Sequence, residues 1–73
     1  MEEKFRIKSY GYGELAQLYF PNISKKSASW QLTKWINENE VLTELLIKFG
    51  KKKRQKILSP IQVEQIIKIL GEP

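Results

Sequence analysis

Asn22-Ile23-Ser24-Lys25-Lys26-Ser27-Ala28-Ser29-Trp30-Gln31-Leu32 is the stretch on which the reading of this chain turns. Ser24 is a strong helix N-cap, because its side-chain oxygen accepts from one of the backbone N–H groups that a helix leaves free at its start. Beyond it, Ala28, Leu32, Trp35 and Ile36 recur at helical spacing and predict a helix over residues 25–37 with that face against a core. Lys25, Lys26, Ser29, Thr33, Lys34 and Asn37 fall on the opposite side, all polar or basic. Upstream, Pro21 ends a shorter helix over residues 12–20, since the residue before a proline avoids helical backbone. Gly11 is its N-cap with Glu14 in the reciprocal capping position, Tyr10 and Leu15 form a hydrophobic staple, and Gly13 weakens it.

Toward the C-terminus, Asn39 caps a third helix over residues 40–49, with Leu42, Leu45, Leu46 and Phe49 inward and Gly50 just past its end. A basic loop over residues 51–56 follows. Its Lys51, Lys52, Lys53, Arg54 and Lys56 place five positive charges in six residues. Ser59, Pro60 and Gln62 then open a helix over residues 60–70, as N-cap, first-position proline and capping-box glutamine. Val63, Ile66, Ile67 and Leu70 give it an inward stripe, and Gly71 ends it. At the other end, residues 4–10 alternate, with Phe5, Ile7 and Ser9 on one side and Arg6, Lys8 and Tyr10 on the other. Period two predicts a short strand or an extended arm. The expected fold is mainly α, a single small domain of three to four helices with up to two short β-strands. One strand would be the N-terminal arm and the other the segment before the last helix. A wing-like pairing of residues 5–8 with 55–58 would carry the lysines at its tip.

A chain of 73 residues buries only roughly 60% of its unfolded surface, so it calls for a staple or a partner. There is no cysteine and no histidine, which leaves helix packing or self-association in place of disulfides and soft metal sites. A hydrophobic content of 41% still argues for a real core rather than disorder. Aspartate is absent as well, so most nucleophile, general-base and metal-ligand constellations cannot be assembled. An enzyme is not expected, and neither a cofactor, a metal nor a small-molecule substrate is suggested. No apolar run approaches the roughly 20 residues of a membrane span. The opening Met1-Glu2-Glu3-Lys4 has no apolar signal region, so the expected location is the cytoplasm.

The formal net charge is +5, and residues 12–37 read as a helix-turn-helix-like pair. Glu14-Leu15-Ala16 and Ile23-Ser24-Lys25-Lys26-Ser27-Ala28 stand as its halves, with Ala16 as the small residue where the helices cross. The turn is about two residues longer than the tight form, and Leu32 rather than Gln31 takes the apolar role. In such a motif the second helix enters the DNA major groove. Lys25, Lys26, Ser29, Thr33 and Lys34 would then meet phosphates or base edges. Lysines at a helix start oppose its dipole by about 0.3–1 kcal/mol each, which a bound phosphate offsets. Lys51, Lys52, Lys53, Arg54 and Lys56 would meet flanking phosphates, and with Lys48 they form an acid-free block between Glu44 and Glu64. Double-stranded DNA is the expected partner. The same residues also read as a solvated helix face and a solvated loop, and a second function class follows, a protein-interaction domain. Trp30 lies between the polar and apolar arcs, where closing over the core edge is the commoner outcome and stacking on a partner or anchoring a dimer the alternatives. Val41, Ile47, Ile61 and Ile69 lie off the inward stripes. Together they would make a partner surface, a homodimer included.

A set of short segments is spread along the chain: Ile7-Lys8-Ser9-Tyr10-Gly11, Glu14-Leu15-Ala16, Tyr19-Phe20-Pro21, Ser27-Ala28, Leu32, Trp35-Ile36, Leu58-Ser59-Pro60, Gln62-Val63 and Leu70-Gly71-Glu72-Pro73. In this combination the sequence resembles a family of small uncharacterised Bacteroides-type proteins grouped as a domain of unknown function. The resemblance runs over nearly the whole chain. It implies membership and brings no activity or catalytic residue with it.

Overall fold

Every helix of this protein starts where the chain supplies a cap. The computed structural model describes residues 5–53 and 55–73; expectations for Lys4 and Arg54 lie outside the described residues. The element order is β1 (Tyr10–Gly11), α1 (Tyr12–Tyr19), α2 (Lys25–Asn37), α3 (Glu40–Lys48), β2 (Ile57–Leu58) and α4 (Pro60–Leu70). At α1 the Gly11 N–H donates to Glu14 Oε1 at 3.2 Å. Ser24 Oγ accepts from the Ser27 N–H at 3.2 Å, and Asn39 Oδ1 from the Leu42 N–H at 3.0 Å. At α4 the cap is reciprocal: Gln62 N–H donates to Ser59 Oγ at 3.4 Å and Ser59 N–H to Gln62 Oε1 at 3.0 Å.

The C-terminal ends follow the same local logic. Beyond α3, Gly50 adopts φ +89°, a backbone state that disfavours any side chain. Its N–H donates to Ile47 O at 3.0 Å and the Lys51 N–H to Leu46 O at 2.8 Å. That pair of bonds is the Schellman closure of a helix end.

The inward residues of the helices form one core, with Leu15 and Ala16 from α1, Ala28, Leu32 and Ile36 from α2, and Leu42 and Leu46 from α3. Val63 and Ile66 of α4 complete it, together with Tyr10 and Leu58 from the strands. Leu45, Phe49, Ile67 and Leu70, expected inward, are half-buried. Trp35 departs further from expectation: it is 39% exposed. It sits one helical step round from the Leu32/Ile36 line and packs edge-on against Tyr19 and Phe20, with ring centroids 6.1 and 4.8 Å away. Ile69, expected off the inward stripe, instead packs against the core. Among the described residues no helix is long and apolar enough to cross a membrane.

The two strands pair antiparallel, Tyr10 opposite Leu58 and Gly11 opposite Ile57. This overturns the expected pairing of residues 5–8 with 55–58. The strands lead into α1 and α4, and among the described residues no wing carries the lysines at a tip. The alternating arm does not run on as a strand, because it bends at Lys8 and folds back over Tyr10. Phe5 stacks on the Tyr10 ring at 5.3 Å, Lys8 Nζ lies 5.1 Å from the same ring, and the Tyr10 hydroxyl donates to Arg6 O at 3.0 Å.

Two outcomes follow from these ends. Gly50→Ala forces a side chain into the left-handed region and should cost about 1–2 kcal/mol, read as a lowered denaturant midpoint; an unchanged or raised midpoint would refute the Gly50 assignment. The second concerns Tyr19, whose hydroxyl donates to Gly71 O at 2.5 Å. Burial, and secondarily Glu72, push its phenol from 10.0 up to about 12. Between those values the unfolded chain has released this proton while the folded chain keeps it, so stability should fall as pH rises from about 10 to about 12. Tyr19→Phe should flatten that decline, as followed by denaturant titration at successive pH values.

Candidate functional site

The site is set by how α1 lies on α2. A Cβ on Gly13 would stand 2.7 Å from Lys25 Cγ, 2.9 Å from its Cδ and 3.3 Å from Ser29 Oγ. The bare glycine therefore lets the start of α1 close onto the 25/29/33 edge of α2, a role that its poor helix propensity conceals. Ala16, expected at this crossing, is fully buried.

Tyr12 completes the contact. Its hydroxyl lies 2.7 Å from Thr33 Oγ1, and Thr33 Oγ1 donates to Ser29 O at 2.9 Å. A hydroxyl has one hydrogen, so the Tyr12 phenol is the donor to Thr33. Burial raises the Tyr12 pKa above its ordinary value, against the opposing bond to Thr33; a phenol is protonated at neutral pH with or without that shift. Ser29 and Thr33, expected to meet phosphates or base edges, take part in the contact with α1. Ser29 is half-buried beneath α1, and the Thr33 hydrogen is committed to its own helix. The Lys25 stem lies along α1.

What remains open on α2 is a second stripe. Lys26, Trp30 and Lys34 follow one another at four-residue spacing and are all exposed, Trp30 at 64%. Lys34 Nζ stands 5.7 Å from the centroid of the Trp30 ring, a cation–π arrangement. A shallow groove beside the ring is lined by Trp30, Thr33, Lys34, Asn37 and Glu38.

The basic loop is positioned from both ends. At its far end the Tyr12 N–H donates to Lys56 O at 2.7 Å, so the residue that touches Thr33 also holds the loop. At its near end two glutamines lock it. Gln55 Oε1 accepts from the Lys52 N–H at 3.2 Å. Gln55 Nε2 donates to Ile57 O at 2.7 Å and to Gln62 Oε1 at 2.8 Å. Gln62, only 2% exposed, donates through Nε2 to Phe49 O at 3.1 Å. Its amide thus joins the end of α3, the loop and the start of α4. Lys52, Lys53 and Lys56 stay exposed and Lys51 is half-buried.

Tyr12, Gln55 and Gln62 are the residues that sequence reasoning left out of the site. Gln62 was visible as a cap, but its burial depends on the loop folding over it. Gln55 reads as one more polar member of a charge run. Of the expected partner surface, Trp30, Val41, Ile47 and Ile61 are exposed. Val41 and Ile47 are six residues apart on α3 and so roughly 120° apart around it, which places them on opposite flanks of its outer side.

Gln62→Met keeps the volume and removes the amide. It should cost about 1–3 kcal/mol through the polar groups left unpaired, and amide exchange at Lys52 should rise at the same time. Loss of stability with Lys52 exchange unchanged would contradict the loop-locking role.

No curated protein and no solved structure matches this sequence. A family model does, over residues 6–73, nearly the whole length. The chain belongs to the family described as Domain of unknown function (DUF4248).

Proposed function

We propose that this domain binds nucleic acid, with the exposed stripe of α2 as its contact surface and phosphate as its main target. The observation that carries the reading is the run Lys26, Trp30, Lys34, two cations flanking an exposed aromatic along one open helix face. Lysine ammonium groups meet phosphates without reading sequence. The basic loop adds Lys52, Lys53 and Lys56, and Tyr12 bonds both this loop and α2. The first turn of α2 holds no acidic residue, so nothing there offsets the lysines against the helix dipole, and a phosphate does.

The reading differs from a base-reading groove helix, because α1 half-buries Ser29 and the Thr33 hydroxyl is engaged by Tyr12 and by Ser29 O. Contacts to the backbone take the place of base-edge readout, and weak sequence preference follows.

The test is fluorescence anisotropy of labelled DNA, duplex and single-stranded, at about 50 and about 200 mM salt. Binding should weaken steeply at the higher salt. Lys26→Glu with Lys34→Glu should lower the salt slope by roughly 1.8 on duplex and roughly 1.4 on single strands, about 0.9 and about 0.7 for each phosphate contact. Both lysines are exposed, so circular dichroism should be unchanged. Affinity equal to that of the wild type in this variant would defeat the reading.

A further inference from the structure

We infer that Trp30 is a stacking platform for an unpaired base, so that the preferred ligand of the α2 face is single-stranded nucleic acid rather than a duplex. The inference rests on the nucleic-acid reading above and goes beyond it in naming the state of the strand. Trp30 leaves 64% of its surface in water, although a tryptophan ring gains more than most side chains from burial. The second tryptophan behaves otherwise: Tyr19 and Phe20 pack edge-on against Trp35.

The surroundings of Trp30 match the parts of a nucleotide. Lys26 and Lys34 stand four residues before and after it, about 6 Å along the axis on either side, where they can neutralise phosphates to each side of a stacked base. The Lys34 ammonium near the ring adds to the attraction of a base by the cationic–aromatic pair. Beside the ring, Asn37 and Glu38 line the groove. A carboxylate there repels phosphate but accepts hydrogens from the exocyclic amino groups of bases. The arrangement therefore favours phosphates on the lysines with the base turned toward the tryptophan. A duplex keeps its base faces inside the stack and offers Trp30 none of them. Of the candidate base-edge readers, Ser29 is half-buried beneath α1 and the Thr33 hydrogen is committed to Ser29 O. Every base has a π-face, so the platform is tolerant of sequence.

Three probes of equal length separate these contributions: a mixed-sequence single strand, its duplex, and a single strand of abasic residues that keeps the phosphates. The wild-type protein should bind the single strand about fivefold to a hundredfold more tightly than the abasic strand, the range one stacked base contributes. It should also favour the single strand over the duplex. Trp30→Ala should erase the gap between the single strand and the abasic strand, and Trp30→Phe should retain much of it. Trp30 is surface-exposed, so neither variant disturbs the core. A duplex bound as tightly as the single strand, or no effect of Trp30→Ala, overturns the stacking inference and leaves phosphate binding standing. Failure to bind any of the three probes overturns the nucleic-acid reading and this inference with it.

Discussion

Tyr12 is held at two places, and the arrangement of the molecule hangs on both. Its backbone N–H reaches Lys56 O and its phenol reaches Thr33, each at 2.7 Å. α1 is only eight residues long, too short to persist alone in water. It exists because Leu15 and Ala16 are buried, because Glu14 caps its start, and because Gly13 lets it lie close on α2. Once placed, it decides which side of α2 faces solvent. It also brings the end of the basic loop beside that helix. With no cysteine in the chain, such non-covalent ties do the stapling that disulfides provide in other small domains.

The helices were legible in the residues because their boundaries are set by local chemistry. Ser24, Asn39, the Ser59–Pro60–Gln62 combination and Gly50 each act within a few residues of themselves, and each stands where the spacing implied. The mainly α class and the segment before α4 as a strand were legible for the same reason. What the sequence concealed depends on residues far apart in the chain. Trp35 lies on the inward arc of a helical wheel, yet Tyr19 and Phe20 give it a surface position. The alternating arm looks like a strand until Phe5 finds Tyr10 as its stacking partner. Strand register needed Leu58, 48 residues beyond Tyr10. In the candidate site, Lys26 and Lys34 were legible as surface residues, whereas Trp30, between the polar and apolar arcs, read as core-edge packing and is instead 64% exposed. That Ser29 would lie beneath α1 and Thr33 would bond to Tyr12 was not legible, since a glycine at position 13 signals a weak helix as readily as a close crossing.

Charge and aromaticity are distributed unevenly over the surface. The α2 stripe and the loop are basic, while a second groove where α2 meets α3 is lined by Asn37, Glu40, Thr43 and Glu44. Asn37 borders both grooves. A polyanion following the lysines thus meets a carboxylate boundary at Glu38 and Glu40, which gives the proposed surface an edge as well as a track. The exposed apolar side chains of α3 offer a competing surface for a protein partner, but Val41 and Ile47 point to different flanks, and neither adjoins an aromatic–cation pair of the kind on α2.

The most direct measurement is to map the contact by nuclear magnetic resonance, adding a single-stranded oligonucleotide to labelled protein and following backbone amides and the two indole N–H signals. The account predicts shifts concentrated at Lys26, Trp30 and Lys34, with the Trp30 indole moving most, and secondary shifts at Lys52 and Lys53. Shifts centred on Val41, Ile47 and Ile61 with the Trp30 indole unmoved would contradict it.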